Sequence, residues 1–192
     1  MSILTILGHT PLWVWPLLAF LVYRGVAAMQ PRAVSPGRML IIPIVFLVWG
    51  CAGLLAGPGD LGRSLAAFLA AGVVGLALGR GLAALSPPPL PAAPGLIAMP
   101  GSPLTLILIL AAFATKYAGN VALALAQDAD ARALWSTGLA AAGGLFAGLF
   151  WGRTLGLLWR ALRAAGEAPT LAGLARMALP PSGRSGAARG EG

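Results

Sequence analysis

Long runs of apolar residues, separated by short polar or proline-rich segments, dominate the pattern along the chain. A transmembrane helix needs about 20 predominantly apolar residues to cross a hydrocarbon core about 30 Å thick. The pattern therefore predicts an all-α, polytopic membrane fold. Five transmembrane helices are expected, over residues 12–29, 39–57, 61–85, 103–126 and 133–152, and the last continues as an interfacial helix to residue 163.

Composition divides the chain into two parts. Residues 1–163 form the predicted five-helix transmembrane domain, and residues 164–192 a cytoplasmic amphipathic segment followed by a disordered basic tail. Residues 86–102, between the third and fourth predicted spans, contain six of the sixteen prolines. Proline-rich segments are extended and semi-rigid, so we expect a stiff inner loop there.

The distribution of arginine predicts the orientation. Ten arginines lie on the side that holds the C-terminal tail, whereas two lie on the other side, beside Asp60, Asp128 and Asp130. Cytoplasmic loops carry an excess of basic residues, so we expect the N-terminus outside and the C-terminus inside. Basic residues follow the first apolar run and none precedes it, which favours an uncleaved anchor over a cleaved signal peptide.

Composition supports the membrane assignment and limits the kinds of functional site that the chain can form. Hydrophobic residues make up 58% of the chain and charged residues 9%, whereas soluble domains carry about 25% charged residues. The net charge of +8 is explained by membrane orientation rather than by nucleic-acid binding. One Cys and one His exclude an intramolecular disulfide and a multi-His metal site. The predicted spans contain no carboxylate and no histidine, so we expect no enzymatic activity and no cofactor.

Glycines recur at four-residue spacing in three predicted spans, of which the second offers Gly53 and Gly57. Small residues at this spacing let helices approach closely in lipid, where the hydrophobic effect does not drive helix association. We expect these positions to form helix-packing faces, within one chain or between copies of it: Gly144, Gly148, Gly152 and Gly156 in the fifth span, and Gly75 and Gly79 in the third.

Lys116 is the only lysine, and it lies near the centre of the fourth predicted span. A charged side chain at the bilayer centre costs at least about 2.5–3.5 kcal/mol, so something must stabilise it. Asn120 and Gln127, four and eleven residues later, fall in nearly the same helical direction, and Tyr117 is adjacent. One interpretation is a polar, outward-facing vestibule that binds an anionic or polar solute or lipid. The other is a structural lysine that fixes helix packing.

Three short motifs resemble a family of small bacterial multi-pass inner-membrane proteins, known as a domain of unknown function. They are His9-Thr10-Pro11-x-Trp13, the basic loop leading into Arg38-Met39-Leu40 and Pro43, and Gly101-Ser102-Pro103 followed by Lys116-Tyr117. The resemblance covers about residues 3–160. It implies a bacterial inner membrane and no assigned activity.

Two functions remain open at this point. The first is binding or transport at Lys116 by a membrane protein that contacts the lipid bilayer and acts as a homo-oligomer or with a membrane partner subunit. The alternative is a non-catalytic accessory or structural protein that acts through its glycine-lined helix interfaces.

Overall fold

The computed structural model describes residues 14–91, 96–164 and 166. Within these ranges the chain forms six helices and a small sheet. The elements are α1 (Val14–Ala27), β1 (Arg32–Val34), α2 (Pro36–Met39), α3 (Ile41–Ala56), α4 (Leu61–Leu85), β2 (Leu90–Pro91), β3 (Ile97–Met99), α5 (Leu104–Leu125) and α6 (Ala129–Ala164).

Four helical segments are long and apolar enough to cross a membrane: Pro36–Ala56, which joins α2 and α3, and then α4, α5 and α6. The all-α prediction is confirmed, and these four correspond to the second to fifth predicted spans. The first predicted span begins at residue 12, outside the described residues, and its described apolar helix Leu18–Ala27 is shorter than a full span. The predicted cytoplasmic tail also lies almost wholly outside the described residues.

Capping aspartates determine where two of the spans begin. The Asp60 carboxylate accepts a hydrogen bond from the Arg63 N–H at 2.7 Å and starts α4, and Asp128 accepts from the Ala131 N–H at 2.6 Å where α6 starts. Such caps satisfy donors that the first helical turn leaves free. α6 has 36 residues and is about 54 Å long at 1.5 Å per residue. It therefore continues through Gly152 without a break and extends beyond the bilayer core.

The tightest helix pair is α4 and α6. A Cβ atom added to Gly148 would overlap the carbonyl oxygen of Gly72 and lie 2.9 Å from the Leu76 nitrogen. The other four positions where an added Cβ would overlap backbone of the opposite helix are Gly75, Gly79, Gly144 and Gly152. The two backbones thus touch over several turns. Gly156 faces a side chain instead, with its Cβ position 2.7 Å from the Ala83 Cβ.

The remaining helices meet around an aromatic and aliphatic core. Phe46 of α3 stacks on Phe150 of α6 with ring centroids 4.3 Å apart. Leu21 of α1 and Ile109 of α5 are fully buried against them. α6 therefore contacts the other spans on two sides: the glycines from Gly144 to Gly156 lie on α4, and bulky residues such as Phe150 lie on α3 and α5.

A three-stranded antiparallel sheet, in the order β1-β3-β2, lies where α1 ends and α5 begins. Arg32 pairs with Met99 and Val34 with Ile97. Ile97 is buried against Leu158 on the last turns of α6. In the described parts of the predicted inner loop, residues 86–91 and 96–102, two short segments are thus hydrogen-bonded strands. The sequence analysis did not predict this sheet because three-residue strands leave no alternating pattern long enough to recognise.

Charges separate to opposite ends of the bundle. We call one the arginine end, which carries seven arginines and no acidic residue in the described part of the chain: Arg24, Arg32, Arg38, Arg80, Arg153, Arg160 and Arg163. The other, the aspartate end, carries Asp60, Asp128 and Asp130 with Arg63 and Arg132. Burial lowers the pKa of Arg32 in the sheet, and the neighbouring charge of Arg24 lowers it further.

Candidate functional site

Lys116 lies inside the bundle on the buried side of α5, with 8% of its surface exposed. Its ammonium nitrogen points between two other helices. A Cβ atom added to Gly53 of α3 would lie 3.0 Å from Nζ, and one added to Gly143 of α6 would lie 3.1 Å from it. The amine therefore occupies the space that these two glycines leave.

Close packing of α3 on α6 bounds this space. The Cβ position of Gly143 lies 3.5 Å from the Cα atom of Gly50. The Cβ position of Gly50 in turn lies 2.9 Å from the ring of Phe68, which reaches across from α4. Lys116 thus ends in a small compartment of glycine backbone and one aromatic edge.

No described carboxylate is placed to neutralise the ammonium. The nearest acid in sequence, Asp128, is twelve residues on and accepts a hydrogen bond at the start of α6. Asp60 likewise caps α4, at the same aspartate end. Because a buried charge must be paired or solvated, Lys116 requires backbone dipoles, water or a bound anion.

The other predicted ligand residues are placed differently. The Asn120 amide donates to the backbone carbonyl of Lys116 at 2.7 Å, and its side chain is exposed rather than directed at the ammonium. Gln127 is exposed beyond the end of α5. Tyr117 is half-buried and stacks on Phe113 with centroids 6.1 Å apart. The structure therefore does not bring Asn120 and Gln127 to the lysine nitrogen.

A different group of small residues connects the lysine with the aspartate end. The Ser136 hydroxyl of α6 is buried, and its Oγ lies 2.9 Å from the Cβ positions of both Gly57 and Gly59. Gly53 is one helical turn from Gly57 along α3, and Gly143 two turns from Ser136 along α6. We call this line of contacts between the two helices the α3–α6 seam: Gly50, Gly53, Gly57 and Gly59 with Ser136 and Gly143.

A buried hydroxyl lies beside this seam. The Ser64 Oγ of α4 lies 3.7 Å from the Cβ position of Gly59 and has no hydrogen-bond partner in the part of the chain that the structure describes. Small polar residues thus mark the end of the seam that is nearest the aspartate end of the bundle. Sequence analysis singled out Lys116 but not Gly50, Gly143 or Ser64. Their only signal was the abundance of small residues in three spans, which does not show which glycine faces which helix.

The described residues contain no group of three or more His, Cys, Asp or Glu side chains that could hold a metal ion. Cys51 is exposed on α3. The buried polar side chains of the described spans are Ser64, Thr105, Lys116 and Ser136. Thr105 accepts a hydrogen bond from Arg153 at 3.0 Å at the arginine end, so Lys116 is the buried cation at the aspartate side of that pair.

The length and composition of the helices identify a multi-pass membrane protein. No curated protein and no solved structure matches the chain. A family model described as a family of unknown function, DUF6622, matches residues 1–179, a wider range than the resemblance in the sequence implied. This multi-pass membrane chain therefore belongs to DUF6622, a family of unknown function.

Proposed function

We propose that this protein binds or transports an anionic or polar solute, or a lipid, at Lys116. The single observation that carries the proposal is the ammonium group between Gly53 and Gly143, buried in the bundle without a described carboxylate beside it. Ionisable residues inside membrane proteins are costly, and they commonly mark substrate or ion pathways. An anion beside Nζ would supply the missing countercharge.

The α3–α6 seam supports access from the aspartate end. The residues that define it are glycines and one serine, so backbone and one hydroxyl lie where bulkier side chains would otherwise close the helix interface. A small solute needs only a slight separation of α3 from α6 to reach Lys116. A solute bound there would contact backbone dipoles as well as the amine.

We propose a bacterial inner membrane as the location, with the arginine end in the cytoplasm and the aspartate end outside. The charge separation between the two ends supports this orientation through the excess of basic residues on cytoplasmic loops. The seam then opens toward the outside. A ligand at Lys116 is expected to enter from that side.

The accessory alternative receives less support from the packing. Gly144, Gly148 and Gly152 lie against α4 of the same chain, so these glycines are not available to a second subunit. An accessory or oligomeric role would need a different surface. We propose no catalytic activity, since the buried polar chemistry of the described spans is that of a binding site.

Lys116→Met tests the proposed function because it keeps the length of the side chain and removes the charge. Wild type and variant are purified in nanodiscs of native lipid, and native mass spectrometry identifies the small molecules or lipids that remain bound. We expect the variant to insert and unfold like wild type, or to be more stable, since the cost of a buried charge disappears. It should lose the bound species.

Two further variants make the result specific. Thr115→Val alters the neighbouring exposed position and should retain the bound species. Gly53→Ala keeps the charge but places a methyl group 3.0 Å from Nζ, so it should displace the amine and weaken binding. If Lys116→Met and Gly53→Ala both retain everything that wild type retains, the lysine is structural and the proposal is wrong.

A further inference from the structure

Two guanidinium groups share one indole ring at the arginine end. Trp159 lies near the end of α6 and is half-buried. The guanidinium carbon of Arg163 lies 3.5 Å from the centroid of its ring, and that of Arg80, on α4, lies 5.9 Å from it. Cation–π attraction favours both positions. The helix pair therefore presents two positive charges around one ring, and both arginines are exposed.

No acidic residue in the described ranges lies near this pair. Asp60 is about 30 Å away, at the opposite end of α4, by the rise of 1.5 Å per residue. The neighbouring Arg160 is already engaged, since it donates to the carbonyl oxygens of Ala83 and Ser86 at the end of α4. Two like charges on neighbouring helices repel each other, and an anion bound beside them offsets that repulsion. Arg80 and Arg163 thus have both the charge and the exposure to hold one.

We propose that Arg80, Arg163 and Trp159 bind the phosphate headgroup of an anionic phospholipid. Planar guanidinium groups donate paired hydrogen bonds that match the oxygens of phosphate. Tryptophan is enriched at the membrane–water interface, at the depth of lipid headgroups. Basic sites between transmembrane helices on the cytoplasmic side are suited to such lipids. This site is separate from Lys116 and does not depend on the function proposed for it.

The surface next to the site favours a lipid over a free phosphate ion. Leu76 precedes Arg80 by one turn on α4, and Leu155 precedes Trp159 by one turn on α6, and both side chains are exposed. They lie on the bilayer side of the two arginines. Acyl chains attached to a bound phosphate would run along these leucines, so the site offers contacts to both parts of a phospholipid.

Native mass spectrometry of the full-length protein in nonionic detergent tests the proposal. The protein is titrated with phosphatidylglycerol or with phosphatidylcholine of the same acyl chains. Wild type should bind phosphatidylglycerol more tightly, and Arg80→Gln/Arg163→Gln should lower that affinity about tenfold or more, because two charge-assisted contacts are lost. Arg63→Gln, which removes one charge at the aspartate end, should leave it unchanged.

Three results would overturn the proposal. One is equal phosphatidylglycerol affinity in wild type and the double variant, and another is equal affinity of wild type for the two lipids. The third is displacement of the lipid by millimolar inorganic phosphate, which would assign the site to a free anion. If the double variant does not fold, the single variant Arg163→Gln tests the proposal instead. Its side chain is exposed and lies in the last turn of α6, so the substitution should not disturb folding. It should lower the affinity severalfold, and an unchanged affinity counts against the site.

Discussion

Gly148→Ala is expected to destabilise the protein strongly, although it adds a single methyl group. The added Cβ would overlap the Gly72 carbonyl oxygen and lie 2.9 Å from the Leu76 nitrogen. Both obstacles are backbone atoms within α4, so no side chain can rotate away. The helices must separate by an ångström or so, and the neighbouring glycine contacts loosen with them.

Overpacking a well-packed interior costs about 1–3 kcal/mol where side chains relax. Here the obstacle is a helix backbone, so we expect the upper end of that range, about 3 kcal/mol, for Gly148→Ala. Gly148→Leu should impair folding altogether. The control is Gly138→Ala in the same helix, where an added Cβ meets nothing within 4 Å. Because alanine is the better helix former by roughly 0.5–1 kcal/mol, this control should be neutral or slightly stabilising.

The assay is equilibrium unfolding in mixed micelles, with increasing denaturing detergent and with helicity and tryptophan fluorescence as two probes. Coincidence of the probes establishes that one transition is measured. The reasoning would be refuted if Gly148→Ala unfolded within about 0.5 kcal/mol of Gly138→Ala, a difference typical of unperturbed surface positions. Such a result would mean that α4 and α6 do not pack through this row.

The span positions could be predicted because membrane crossing imposes a length and a composition that are visible in one dimension. Residues 61–85 were predicted with the bounds that α4 has, since Asp60 caps its start and a proline run follows its end. The continuation of the fifth span to residue 163 was also predicted, and α6 ends at Ala164. Its start was less accurate, since it was predicted at residue 133 whereas α6 begins at Ala129, where Asp128 caps it.

The surroundings of Lys116 could not be predicted from its own helix. Helical spacing placed Asn120 and Gln127 in the same direction, but the lysine stem is long and its nitrogen lies against α3 and α6. The glycines that contact the lysine nitrogen are determined by how α3, α5 and α6 cross, and a single sequence does not show how they cross. The Asn120 amide, meanwhile, bonds to the carbonyl one turn earlier, as polar side chains in helices often do.

Three further outcomes are expected. A reporter enzyme fused to the C-terminus should be cytoplasmic, and one inserted at residues 128–132 should be external. Two reporter enzymes, each active in only one compartment, measure this. A cytoplasmic 128–132 loop would contradict the proposed orientation. Arg160→Gln should lower the free energy of unfolding by about 1–3 kcal/mol, because the carbonyl oxygens at the end of α4 lose a charged donor. Detergent unfolding measures the change, with Arg63→Gln as the control. Equal stability of the two variants would contradict the stabilising role of Arg160 at the end of α4. Ser64→Ala should be neutral or stabilising by up to about 1 kcal/mol in the same assay, since the buried Ser64 hydroxyl has no described hydrogen-bond partner. A clear loss of stability would mean that the hydroxyl does have a hydrogen-bond partner, such as water.

The two packing systems of the bundle meet at adjacent residues of α6. Gly143 faces the Lys116 amine and α3, whereas Gly144 faces the α4 backbone, because successive residues of a helix are rotated by about 100°. One helix therefore holds both the rigid α4 contact and one wall of the lysine compartment. Movement of α3 relative to a fixed α4–α6 pair would open the compartment without breaking the tightest interface. If Lys116 binds a solute, α3 is the helix expected to move. The Cβ positions of Gly50 and Gly143 lie 3.5 Å from backbone atoms of the opposite helix, an ordinary van der Waals distance, whereas α4 and α6 are locked by backbone contact.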